Sequence, residues 1–130
     1  MAEPRTFHEQ LDVFVASRNL AIDLYRETST FPARERFGLT SQIRRSAVSI
    51  PANIAEGAAR RSKREFARFL LAARGSATEL RLLLEIACAT GNLSAERFSS
   101  YEPSVDRIIR MTSGLIRRAD RIANRSDKST

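Results

Sequence analysis

The sequence predicts an all-α protein, an antiparallel up-down-up-down four-helix bundle whose second helix is kinked by a proline. Only five glycines and four prolines interrupt the 130 residues, and the stretches between them are rich in Ala, Leu and Arg, which favour helix. Apolar residues in four of those stretches recur every three or four positions, as they do on one face of a helix. Because no alternating strand pattern competes, four amphipathic helices with short connections pack most simply as such a bundle.

The first helix is predicted to open at Thr6, because Glu9 follows three residues later in a capping box. The pattern ends in the loop before Pro32, since the residue before a proline avoids helical backbone. The predicted apolar face has side chains three, four or seven positions apart: Phe7, Leu11, Phe14, Ala21 and Tyr25, with Leu20 and Leu24 beside them.

The second helix is predicted to begin near Thr40, after Gly38. Pro51 lies inside its apolar pattern, where a proline removes one backbone hydrogen bond at a cost of about 3 kcal/mol. We expect a kink that frees the carbonyl of Ala47. The alternative is two shorter helices, with Ser49 as the cap of the second. The apolar residues are Leu39, Ile43, Ala47, Ile50, Ile54 and Ala58.

The third helix starts with a capping box from Ser62 to Glu65 and is ended by the glycine of Gly91-Asn92. Ser94 is the predicted cap of the fourth helix, which can bend at Pro103. The third helix has a core face of Phe66, Phe69, Ala73, Ala77, Leu80, Leu84 and Ala87. The fourth has a heptad seam of Phe98, Tyr101, Val105, Ile108, Thr112, Leu115, Ala119 and Ile122. We expect one domain over residues 1–123 and a polar tail, 124–130, that frays because it has no apolar anchor.

Positive charge is concentrated in the second half of the chain. The net charge is +7, residues 1–59 are neutral, and twenty of the 22 cations are arginine, whose planar fork suits phosphate. This pattern predicts nucleic-acid binding through the phosphate backbone, although charged outer faces also serve solubility alone. The candidate contacts are Arg60, Arg61, Lys63, Arg64 and Arg68, and, on the last helix, Arg107, Arg110, Arg117, Arg118, Arg121 and Arg125.

The residues that catalytic and metal sites need are scarce. One cysteine and one histidine exclude an intrachain disulfide, a Cys/His zinc site and a Glu-x-x-His di-iron site. No nucleophile elbow or phosphate-binding glycine loop occurs, so we expect no catalytic residue, no metal and no cofactor, and a protein that is not an enzyme. Aromatic residues, at 7%, fall mostly at core spacing, so base-stacking platforms are not expected.

The N-terminal sequence does not resemble a signal peptide. No apolar run approaches the roughly 20 residues of a membrane-spanning helix. The sequence therefore predicts a cytoplasmic protein without membrane contact.

A polar stripe follows the apolar face of the second helix. It favours one of two structural roles, compensation of the carbonyl freed by Pro51 or contact with another subunit, over a small-molecule site. In the first role Ser49 or Asn53 compensates that carbonyl and Glu56 pairs with Arg60 at i,i+4. The stripe consists of Gln42, Arg45, Ser49, Asn53 and Glu56, and continues to Arg60.

The segment Gln42-Ile-Arg-Arg-Ser-Ala-Val-Ser-Ile-Pro-Ala-Asn-Ile-Ala-Glu-Gly57 resembles the four-helix-bundle family named for proteins encoded in intervening sequences of bacterial 23S rRNA genes. Phe31-Pro32, Phe66-Ala-Arg-Phe-Leu70 and Arg74-Gly-Ser-Ala-Thr-Glu-Leu80 extend the likeness over residues 7–122. Relatives often have tryptophan at position 14, where this chain has Phe14. The difference keeps an apolar aromatic side chain at that position.

The resemblance implies a closed homo-oligomeric ring, a pentamer, built from the bundle. It also implies kinship with the basic accessory protein of diversity-generating retroelements, which works with a reverse transcriptase and nucleic acid. It supplies no catalytic residue. Two functions therefore compete: a ring that binds RNA or DNA through phosphate contacts without base specificity, and a protein-interaction scaffold whose basic surface docks a partner such as a reverse-transcriptase-like protein.

Overall fold

Four helices and one short 3-10 helix make up the protein. The structure, a computed structural model, describes the backbone of residues 4–129 and the side chains of residues 7–125. The elements are α1 (Pro4–Thr28), a 3-10 helix (Ala33–Glu35), α2 (Leu39–Ala58), α3 (Lys63–Ala89) and α4 (Ala95–Ser129). No strand occurs in the described backbone, so the all-α fold class is confirmed. None of its helices has the length and apolar character of a membrane span.

The predicted helix boundaries hold best where a side chain caps the helix. Ser62 Oγ accepts a hydrogen bond from the backbone N–H of Glu65 at 3.1 Å, and Ser94 Oγ accepts one from Arg97 N, also at 3.1 Å. α3 ends before Gly91, whose φ of 80° lies in the left-handed region that favours glycine. α2, α3 and α4 therefore begin within a residue of their predicted starts.

The first and last helices differ from prediction at their outer ends. α1 begins at Pro4, two residues before the predicted cap at Thr6, because proline suits the first helical turn; the Thr6 side chain lies outside the described residues. α4 continues to Ser129, through most of the predicted tail. The fraying of residues 124–130 concerns motion and stays a prediction.

Contacts along α3 and α4 advance in opposite directions, and other contacts join the ends of neighbouring helices; the up-down-up-down order stays a prediction. On α3 and α4, Arg81 forms an ion pair with Asp106 at 3.0 Å, and Arg74, seven residues earlier, donates to Ser113, seven residues later, at 3.3 Å. Other contacts join the end of α1 to the start of α2 (Arg44 to Thr28) and the end of α2 to the start of α3 (Gly57 against Phe66). The start of α1 meets the end of α4 (Glu9 with Arg118).

α2 runs without interruption through Pro51, so the alternative of two shorter helices is wrong. The kink itself stays a prediction. The predicted compensation is also wrong. Pro51 lacks the N–H that would bond the carbonyl of Ala47, four residues earlier. Asn53 Nδ2 donates to a different carbonyl, that of Ser49, at 2.8 Å. The side chain of Asn53 reaches back four residues, one turn of helix, and so bonds Ser49 instead.

The core contains most of the predicted faces of α2, α3 and α4, although Ala58 is exposed and Leu39, Phe69, Phe98 and Ile122 are half-buried. The face of α1 is rotated. Phe7, Leu11 and Tyr25, predicted to be core residues, are exposed. The two buried hydroxyl residues of α1 explain the error: Ser17 donates to the carbonyl of Phe14 at 3.0 Å, and Thr28 to that of Leu24 at 2.7 Å. A hydroxyl bonded to its own helix can be buried, so the buried face is Val13, Ser17, Leu20, Ala21, Leu24 and Thr28.

Candidate nucleic-acid interface

The predicted cluster at the start of α3 and the C-terminal part of the predicted α4 stripe lie at one end of the bundle. α3 begins there and α4 ends there, because the α3–α4 contacts advance by seven residues in opposite directions. One further step of seven places Arg68 level with the stretch from Arg117 to Arg121. We call this end, with the loop between α2 and α3, the basic end.

The cluster at the start of α3 contains cations in different states. Arg60 is held by Glu56 in an ion pair of 2.6 Å, as predicted, and its guanidinium lies 5.0 Å from the centre of the Phe69 ring. Lys63 lies 5.5 Å from the Phe66 ring, and Arg64 is exposed. Exposed Arg61 and Arg68 form no hydrogen bond or ion pair with any described side chain.

The arginine stripe of α4 is exposed, as its spacing away from the seam predicts. Among the described side chains, none forms a hydrogen bond or ion pair with any of the five arginines of this stripe. Arg118 is the exception among the candidate contacts on α4: it is half-buried and forms an ion pair with Glu9 of α1. Arg118 therefore joins two helices, and its assignment as a phosphate contact loses support. The exposed stripe is Arg107, Arg110, Arg117, Arg121 and Arg125.

Arg107 lies apart from the basic end, beside a groove of about 550 Å³ between α1 and α4. In the lining of this groove, Arg97 Nε donates to Glu27 Oε1 at 2.8 Å, and the Tyr101 hydroxyl donates to the same oxygen at 3.0 Å. Arg97 Nη2 donates to the Tyr101 hydroxyl at 3.0 Å. Hydrogen bonds to Glu27 and Tyr101 raise the pKa of Arg97, whereas burial raises the pKa of Tyr101.

The cluster of Glu27, Arg97 and Tyr101 is absent from the sequence-based candidates. Glu27 and Arg97 are separated by 70 positions, so no helical spacing relates them. Only the packing of α1 against α4 brings them together.

The polar stripe of α2 divides between solvent and α3. Gln42 and Arg45 are exposed. Ser49 Oγ is 2.8 Å from Ser76 Oγ of α3, and Asn53 Nδ2 donates to the same Ser49 oxygen at 3.0 Å. Ser49 and Asn53 therefore help to link two helices of one chain, a role that the sequence did not predict, and contact of the stripe with another subunit stays a prediction.

Comparison with known proteins agrees with this architecture. A solved protein of unknown function from the S23 ribosomal protein family of Bacteroides thetaiotaomicron superposes with a TM-score of 0.78 at 24% identity, and the match covers 84% of this chain and 98% of that one. At this identity the likeness concerns the fold. No curated protein matches the sequence. The family profile described as 23S rRNA-intervening sequence protein matches residues 9–114, which is most of the chain. This protein therefore belongs to the 23S rRNA-intervening sequence protein family.

Proposed function

We propose that this protein is a non-enzymatic homo-oligomer, a ring of five subunits in the cytoplasm, that binds RNA or DNA through phosphate contacts without base specificity. One observation carries the nucleic-acid part of the proposal. Five exposed arginines lie at the basic end, and none of these five is paired with a described carboxylate. They are Arg61 and Arg68 near the start of α3 and Arg117, Arg121 and Arg125 on α4.

Exposed arginines that are not paired with a carboxylate are well suited to bind phosphate. A guanidinium that is already paired with a carboxylate, such as Arg60 with Glu56, has part of its charge neutralised and fewer N–H donors left for another anion. An unpaired one donates a bidentate pair of hydrogen bonds to phosphate directly. Such contacts release counterions from the strand and carry no base information, so we expect sequence-tolerant binding.

Salt dependence tests the phosphate mechanism. If the protein contacts six phosphates, its affinity for a mixed-sequence oligonucleotide should fall roughly a thousandfold or more when salt is raised from about 50 to 200 mM. Fluorescence anisotropy at five salt concentrations measures the slope of log affinity against log salt. An affinity that does not change over this range would refute phosphate contacts.

Substitution of three arginines of α4 tests where on the protein the nucleic acid binds. Arg117→Gln, Arg121→Gln and Arg125→Gln together should weaken binding of all sequences alike and reduce the salt slope by about one for each phosphate that is no longer neutralised. The matched variant with lysine at the same three positions keeps the charge and should keep the slope. Equal affinity of wild type and the glutamine variant would mean that the stripe of α4 is not the binding surface.

Two separate exposed apolar surfaces support assembly into a ring. One is a groove of about 420 Å³ between α1 and α2, which includes Ile22, Tyr25 and Val48. The other lies on α3, where Leu71 and Leu82 are exposed. A ring requires a heterologous contact, in which one face of a subunit meets a different face of the next, and these two surfaces supply two such faces.

Sedimentation velocity tests the assembly. Leu82→Arg should place a charge in the contact and lower the sedimenting mass towards that of one subunit, and Ile22→Arg should do the same from the opposite face. Ser99→Arg, at an exposed position of α4, is the matched control and should leave the mass unchanged. A wild-type protein that sediments as a 14.6 kDa monomer at micromolar concentration would refute the ring.

The same exposed apolar surfaces favour the second candidate function, a scaffold for a protein partner such as a reverse-transcriptase-like protein. If the protein is such a scaffold, the isolated protein binds no oligonucleotide at low salt, and its arginines serve partner docking or solubility. The anisotropy measurement therefore separates the two functions.

A further inference from the structure

Phe37 is the most exposed large apolar side chain of the described residues. It lies between the 3-10 helix and α2 and is 87% exposed, whereas the next highest value is 54%, shared by Phe7 and Leu82. Phenylalanine is usually buried, because its ring carries a large apolar area. From composition and spacing we expect no exposed aromatic side chain that could stack on a base. In the structure, Phe37 is such a side chain.

The turn that presents Phe37 is closed by backbone hydrogen bonds. Three of them, with lengths between 2.9 and 3.1 Å, span the 3-10 helix and the turn after it. Phe31, just before the turn, is buried and anchors it to the core. The aromatic ring of Phe37 is therefore held on an ordered turn, which reduces the entropy lost when it binds. The three bonds are Glu35 N to Pro32 O, Arg36 N to Ala33 O, and Gly38 N to Glu35 O.

The charges beside Phe37 favour an anionic partner. Arg34 and Arg36 are exposed and have no carboxylate partner among the described residues, and the Arg36 guanidinium lies 5.3 Å from the centre of the Phe37 ring. The carboxylate between them, Glu35, is engaged elsewhere: it accepts hydrogen bonds from Leu39 N and from Asn92 Nδ2, each at 3.4 Å. The turn thus offers an aromatic face with two available cations.

We propose that Phe37, with Arg34 and Arg36, is a stacking site for an unpaired base of single-stranded RNA or DNA. This inference rests on the proposed nucleic-acid binding and specifies the form of nucleic acid. Every base has a π-face, so stacking on Phe37 tolerates any sequence, while the two guanidiniums reach the flanking phosphates. A duplex already stacks its bases on one another and offers no free face to this site.

Affinities for a single strand and for the duplex of the same sequence test the site. Phe37→Ala should weaken binding of the single strand roughly 5- to 150-fold, which corresponds to about 1–3 kcal/mol per stacked base. The affinity for the duplex should stay within about twofold. Phe37→Leu is the matched control: it keeps an apolar side chain without a π-face and should weaken single-strand binding as Phe37→Ala does.

A tryptophan at the same position reports stacking directly. The chain contains no tryptophan, so Phe37→Trp introduces the single indole of each subunit. Its emission should be quenched when a single-stranded 20-mer is added and should change little with the duplex.

Several outcomes would overturn the site, and they differ from failure of the proposed function. Equal single-strand affinity of wild type and Phe37→Ala, beside intact duplex binding, refutes the stacking site alone. Full affinity in Phe37→Leu shows an apolar contact without stacking, and a lower sedimenting mass of Phe37→Ala shows a subunit contact. Wild-type protein that binds neither strand nor duplex refutes both the proposed function and this site.

Discussion

A methyl group at position 57 would collide with two phenylalanines of α3. A Cβ on Gly57 would lie 2.7 Å from the Phe69 Cβ and 3.1 Å from the Phe66 Cδ1, which are distances that packed side chains do not tolerate. Gly57 thus allows the end of α2 to approach the start of α3 closely, directly before the loop that carries Arg60 and Arg61. A single position without a side chain therefore affects the geometry of the basic end.

Gly57→Ala should lower the free energy of unfolding by about 1–2 kcal/mol, since overpacking outweighs the helix propensity gained. Urea denaturation measures the change. Gly114→Ala is the control, because the nearest atom to its Cβ is Arg117 Nη2 at 3.9 Å and alanine favours helix; we expect it to raise stability by up to about 1 kcal/mol. Equal stability of the two variants would contradict this account.

Tyr101→Phe should lower stability by about 1 kcal/mol at neutral pH, because its hydroxyl bonds both Arg97 and Glu27. The raised pKa of Tyr101 adds a pH dependence. Above its ordinary pKa of 10.0 the unfolded chain releases the phenolic proton first, so this contribution is complete below pH 10 and is lost as pH rises towards the folded pKa. Urea titrations from pH 8 to 11 should show a steeper decline for wild type than for Tyr101→Phe; parallel declines would refute the assignment.

At the scale of the helices, side-chain caps decide where α3 and α4 begin. Ser62→Ala and Ser94→Ala should each cost about 1 kcal/mol, because each removes the acceptor for one backbone N–H in the first turn. Hydrogen exchange at Glu65 and Arg97 should accelerate in the respective variant. Ser99→Ala, at an exposed position inside α4, should change stability by less than about 0.5 kcal/mol; a loss equal to that of the cap variants would argue against capping.

The helix faces also show where periodicity fails as a guide. α2, α3 and α4 bury most of the apolar residues that their spacing predicts, with Ala58 as the exposed exception. α1 buries Ser17 and Thr28 and exposes Phe7 and Tyr25, because a hydroxyl satisfied by its own helix costs little to bury. Residue type alone does not reveal that bond, so the error lay in which side of α1 faces the core.

At the scale of the whole molecule, one ion pair links fold and charge. Glu9 holds Arg118 and joins α1 to α4 at the basic end. Glu9→Gln should lower the free energy of unfolding by about 1 kcal/mol and strengthen oligonucleotide binding, since it removes a negative charge beside the arginines of α4. Asp23→Asn removes the same charge from the exposed pair with Arg26 and is the control. Equal effects of the two variants on affinity would show that only net charge matters.

Local sequence alone established the four helices, two of their caps, most of the buried faces of α2, α3 and α4, and the exposure of the α4 arginine stripe. These features depend on residues within a few turns of one another. The packing of the helices decided which cations remain available to bind phosphate and which are held by carboxylates. Arg118 meets Glu9 and Arg97 meets Glu27 only after α1 packs against α4. Packing also left Phe37 facing solvent, because a residue in a turn has no periodic pattern to place it, and its exposure depends on how the turn sits against the core.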